Sequence, residues 1–116
     1  MPSRIEHDAR TAALRAQCGG PRDGALLRVL LGQALAASGE HLAAANEFEA
    51  ALRFDAHYSA AWKFLGKARL LAGNRAAAAE AWRRGIAVAD AQGDAQASKE
   101  MRVFLRRIEG HGPAST

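Results

Sequence analysis

The sequence predicts an all-α fold, two helix–turn–helix repeats in tandem with a capping helix at each end. Three observations predict it. Alanine is abundant and β-branched residues are scarce, which favours helix because alanine loses no side-chain entropy there. The chain repeats itself at an offset of 34 residues, so that residues 25–58 fall on residues 59–92. Gly39 and Gly73 interrupt both copies at the same place.

Taken in order, residues 3–18 set Ile5, Ala9, Ala12 and Ala16 on a narrow stripe that stops at Gly19-Gly20-Pro21. Residues 1–22 are thus expected to be an N-terminal capping helix and linker. Over 23–38, Leu27, Leu31, Ala34 and Leu35 share one helical face, and Gly39 stands where a C-cap glycine would. A second helix over 41–54 carries Ala44, Ala45, Phe48, Ala51 and Leu52. The pattern then returns. Trp62, Leu65, Ala68 and Leu71 lie over 58–72, Gly73 follows, and Ala78, Ala79, Trp82, Gly85 and Ile86 lie over 75–90.

Gly32 and Gly66 fall inside helices, where glycine costs about 1 kcal/mol relative to alanine. Their recurrence predicts a close helix approach, with Ala44 and Ala78 as the matching small surface. Residues 95–109 align Ala97, Met101, Phe104, Leu105 and Ile108 as an amphipathic capping helix. An open repeat edge needs such a cover. The repeat domain is expected over 23–109, with repeats at 25–58 and 59–92, and residues 110–116 are expected to be a disordered tail.

Few chemistries suit this chain. A net charge of +4 and an apolar content of 49% describe one globular domain. Cys18 is the lone cysteine, so neither a disulfide nor a cysteine metal cluster is expected. His7, His41, His57 and His111 show no ligand spacing, the serines lack a triad context, and Gly19-Gly20-Pro21 lacks the rest of a phosphate loop. No catalytic residue, metal or cofactor is predicted. Met1-Pro2-Ser3-Arg4 opens without an apolar region and no run is long enough to cross a bilayer, so neither a secretory signal nor a membrane span is expected. The expectation is a cytoplasmic protein.

The hairpins resemble those of the tetratricopeptide repeat (TPR) family. The second unit reads Trp62, Leu65-Gly66, Gly73, Ala78, Trp82, Ile86, and the first reads Leu31-Gly32, Gly39, Ala44, Phe48, Ala51-Leu52. Arg28 departs from the pattern at the first aromatic, Leu35 and Arg69 where Tyr is usual, and Gly85 where Ala is usual. Ala56 and Asp90 replace the closing proline. More broadly the chain is similar to small bacterial two-repeat TPR proteins of unassigned function. The resemblance implies a TPR-type superhelix whose first helices line a concave groove, and a scaffold that binds protein rather than an enzyme.

Within that frame Lys63, Lys67 and Leu70 form the groove stripe of the second unit. Val29, Gln33 and Ala36 form it in the first, and Lys99, Val103 and Arg106 on the capping helix. Charge is uneven along the chain. Residues 25–58 carry Arg28 and Arg53 against Glu40, Glu47, Glu49 and Asp55, whereas residues 59–92 carry six basic side chains against Glu80 and Asp90. The expected partner is therefore an acidic peptide or protein segment. The carboxylate clamp of some TPR co-chaperones is not matched, because Val29, Gln33 and Phe64 stand at its Lys and Asn positions. Two other classes remain open. One is self-association or complex assembly, as a homo-oligomer. The other is nucleic-acid binding through Lys99, Arg102, Arg106 and Arg107, which Glu100 and Glu109 dilute.

Overall fold

In the computed structural model the backbone is described for residues 4–110 and the side chains for residues 8–110. The expected stripe position Ile5 and the expected tail after Gly110 lie outside these side chains. Six helices follow one another: α1 (Arg4–Ala16), α2 (Ala25–Ala37), α3 (His41–Phe54), α4 (Ser59–Leu71), α5 (Arg75–Gln92) and α6 (Ala95–Glu109). No strand occurs among the described residues.

Neighbouring helices pack in chain order, and α4 also touches α2 and α6. This is the stacking of a helical-hairpin array, with α2, α4 and α6 along one side and α3 and α5 along the other. No helix of the described residues is long and apolar enough to cross a membrane.

The hairpin turns are built alike. Gly39, Gly73 and Gly93 take φ of 81°, 93° and 74°, the left-handed region that glycine enters without steric cost. After each of the three, the next backbone N–H reaches back to the helix it leaves. Glu40 donates to the Leu35 carbonyl at 2.9 Å, Asn74 to Arg69 at 2.9 Å and Asp94 to Ala89 at 2.8 Å. These 6→1 bonds satisfy carbonyls that the helix end would otherwise leave open. Asn74 and Asp94 then cap the following helices, accepting from Ala77 N at 3.0 Å and Ala97 N at 3.2 Å.

The two helical glycines mark a close approach, but the surface they meet is aromatic. A Cβ on Gly32 would strike the Phe48 ring, and one on Gly66 the Trp82 indole. Ala44 and Ala78 are fully buried in the same core clusters as Phe48 and Trp82. Phe48, Leu31, Leu35 and Leu65 centre one core cluster, and Trp82, Ile86, Met101 and Ile108 centre the next. Trp62 packs against both and joins them. Each large apolar side chain so buried contributes about 1.5–3 kcal/mol.

Where the repeat pattern has an aromatic, Arg28 ties the linker to the array. Its Nε and Nη2 donate to Asp23 and its Nη1 to Glu47, each at 2.9 Å. Asp23 also accepts from Gly19 N at 2.7 Å and Gly24 N at 2.9 Å. The Arg28 hydrogen bonds, aided by these backbone donors, hold the Asp23 carboxyl well below the usual carboxylate range.

Candidate partner-binding groove

The inner faces of α2, α4 and α6 carry two hollows. The first, of about 400 Å³, lies between α2 and α4. Its floor is Phe48 and Phe64, and its walls include Gln33, Ala36, His41, Lys67 and Leu71. Nδ1 of His41 is buried there without a hydrogen-bond partner. The second hollow, of about 220 Å³, lies between α4 and α6. Leu70, Trp82, Phe104 and Ile108 line it, with Lys67 on one side and Arg107 on the other.

The hollows are built to one plan. Phe48 of α3 stacks on Phe64 of α4 with ring centroids 5.6 Å apart. Trp82 of α5 meets Phe104 of α6 at 5.3 Å. Three residues beyond each second aromatic stands a cation, Lys67 or Arg107, and the next residue is Ala68 or Ile108. Phe64, Lys67 and Ala68 thus map onto Phe104, Arg107 and Ile108 with a shift of 40 residues, against 34 within the repeats. Helix α6 begins at Ala95 and α4 at Ser59, a shift of 36, and the remaining four residues are about one helical turn, so Phe104 stands one turn further along α6 than Phe64 does along α4.

Electrostatics separates these two cations from many of the others. Lys63 donates to Glu100 at 3.1 Å, and its Nζ lies 5.3 Å from the Phe64 ring centroid. Arg69 pairs with Glu49 at 3.1 Å and lies 3.8 Å from Glu80. Arg102 donates to Asp90 at 2.6 Å, and Arg83 pairs with Glu109. Lys67 and Arg107 are exposed and form no ion pair among the described residues.

The expected groove residues therefore divide. Gln33, Lys67 and Leu70 line the hollows. Lys63 shares α4 with Lys67 and Leu70 but is held across to α6 by Glu100. Lys99 and Arg106 line a separate depression with Asp90, Ser98 and Arg102, and Val103 is half-buried outside both hollows. Val29 corrects the sequence reading most directly. It is 3% exposed, in a core cluster that Leu14 and Cys18 also pack against, because an apolar side chain beside the N-terminal segment gains by burial. Sequence reasoning missed Phe64, Phe104 and Arg107 as groove residues. The aromatic-to-cation spacing shared by Phe64–Lys67 and Phe104–Arg107 would have found them.

No family model matches the chain. Over 87 residues it is 47% identical to the TPR repeat-containing protein PA0015 of Pseudomonas aeruginosa, an alignment covering 75% of this chain and 83% of that protein. Its structure is similar to the solution structure of protein BPP2914 from Bordetella parapertussis, with a TM-score of 0.74 at 42% identity, covering 94% of this chain and 90% of that one.

Proposed function

The chain belongs to the TPR repeat-containing proteins, and on that premise we propose that it is a non-catalytic scaffold whose concave groove holds an acidic peptide or protein segment. Repeats of this family generally serve as protein-interaction modules. The observation that carries the acidic preference is the position of Lys67 and Arg107. Both are exposed and unpaired among the described residues, and both stand at the rim of an otherwise apolar floor. An acidic partner would gain charge-assisted hydrogen bonds there while its apolar groups leave water. Exposed charge contacts are worth about 0.2–1 kcal/mol each, so they select the partner and the hollows hold it.

The test compares columns of the wild-type protein and the Lys67→Glu/Arg107→Glu variant, loaded with native-cell extract. Proteins retained by the wild type, released by moderate salt and absent from the variant column support the reading. Exposed charges are screened over about 8 Å at physiological ionic strength, so the salt response is part of the expectation. A bound set identical on both columns contradicts it.

One observation favours self-association as the second reading. Leu42 and Leu71 are 70% and 53% exposed and line one shallow depression at the turn end of the array. Sedimentation showing a dimer that Leu42→Glu returns to monomer would favour that reading.

A further inference from the structure

Two hollows on one plan imply a ligand with a matching period. Each joins an aromatic pair to a basic side chain, Phe48–Phe64 with Lys67 and Trp82–Phe104 with Arg107. Lys67 lines both, so it stands between the two floors. The lining is apolar apart from these cations, Gln33 and His41, whose Nδ1 lacks a partner. A purely acidic chain would leave both floors wet. A purely apolar one would desolvate two cations without compensation.

Resting on the acidic-segment reading, we propose that the groove contains two tandem subsites for one extended peptide segment of another protein. Each subsite takes a bulky apolar side chain, and the carboxylate between the two anchors faces Lys67. A second carboxylate beyond the anchor in the α4–α6 hollow faces Arg107. The spacing of the anchors follows from geometry. The hollows lie on either side of α4, so they are about one helix-packing distance apart, roughly 8–10 Å. In a polyproline II chain, residues i and i+3 project to the same side about 9 Å apart. The segment therefore carries its apolar residues three positions apart. A helical ligand would need about six residues to span the same distance.

Fluorescence anisotropy with labelled synthetic peptides tests this. The probe is a Gly/Ser peptide containing Leu-Gly-Glu-Leu-Glu. Its controls replace one Leu by Ser, replace both, or move the second Leu about six positions from the first, the distance a helical ligand would need. The full probe should bind the wild type. Loss of one Leu should weaken binding about tenfold, because one buried anchor is removed. The wider spacing should bind no better than the one-anchor control. Lys67→Glu and Arg107→Glu, both at exposed positions, should each weaken the full probe while leaving the circular dichroism spectrum unchanged.

If the peptide lacking both Leu residues binds as tightly as the full probe, and Lys67→Glu abolishes it, the tandem subsites are wrong and the acidic-segment reading stands. If the full probe binds equally well to wild type and both charge reversals, the acidic reading falls. If neither the full probe nor the controls bind, the proposal is overturned; a wild type that also sediments as a dimer then assigns the hollows to a second copy of the chain.

Discussion

Phe48 and Trp82 occupy the same position in successive repeats, and each covers a helical glycine, Gly32 or Gly66. Their settings differ. The Trp82 indole N–H donates to the Lys63 carbonyl at 3.1 Å, a bond that Phe48 has no group to make. The second hollow is smaller, and Ile108 fills the place that Ala68 leaves open in the first. The helices preceding the two aromatics differ in the same sense. Arg28 bridges Asp23 and Glu47 at one end of the array, whereas its repeat partner Trp62 is a half-buried aromatic that packs against both core clusters. The repeat preserves the contact between small and large groups, and each unit then fits its polar ties to its neighbours.

The largest effects should come from deleting the two aromatics. Trp82→Ala and Phe48→Ala should each cost about 3–5 kcal/mol, as truncations of buried aromatics. Trp82 should cost the more, because its hydrogen bond is lost as well. Urea denaturation followed by circular dichroism measures both. Equal losses would erase the difference drawn between the repeats.

Gly66→Ala and Gly32→Ala sharpen the comparison through their sign. Helix propensity alone would make each substitution stabilising by about 1 kcal/mol. Overpacking against the facing ring reverses this and should leave a net loss of about 1–3 kcal/mol. Thermal melts that rise in either variant would show that the ring does not sit on that glycine.

The caps give a smaller contrast. Asp94 caps α6 and also accepts from Ser59 Oγ at 2.7 Å, whereas Asn74 caps α5 alone. Asn74→Ala should cost about 1 kcal/mol, and Asp94→Ala somewhat more, within the range of about 0.5–2 kcal/mol for caps. A chemical-denaturation series in which Asn74→Ala is the more damaging would contradict the role given to Ser59.

Acid supplies the last contrast. Arg28 is the leading cause that lowers Asp23, Ser98 that for Asp90 and Ser59 that for Asp94. A carboxylate lowered by folding stabilises the native state at pH above its unfolded value near 3.9, and that contribution is lost as pH falls toward the folded value. Stability should therefore be level near neutrality and decline below about pH 4. Asp23→Asn should reduce the pH dependence, with the gain in hydrogen exchange confined to the linker and the start of α2. An unchanged acid limb would show that the Arg28 tie does not couple to folding.

Much of this architecture is legible in the sequence. The positions of α2 to α5 follow from the 34-residue offset and from Gly39 and Gly73, because hydrophobic period and left-handed glycine turns are local properties. The register of α6 is not local. It depends on how α6 packs across α4 and α5, and the repeat offers no template beyond residue 92. The stripe Lys63, Lys67 and Leu70, moved from the start of α4 to the start of α6, falls on Lys99, Val103 and Arg106, whereas Phe104, Arg107 and Ile108, about one turn further along, line the hollow. Ion pairing is also invisible in the chain order. Lys63 and Lys67 look equivalent by spacing, but Glu100 of α6 occupies only Lys63.

The most direct measurement is an amide proton–nitrogen correlation titration of the wild-type protein with the Leu-Gly-Glu-Leu-Glu peptide. Shifts should concentrate at Gln33, Lys67, Leu70, Phe104 and Arg107, with Lys99 and Arg106 unmoved. Shifts confined to Lys99, Arg102 and Arg106, or to Leu42 and Leu71, would contradict the two-subsite groove.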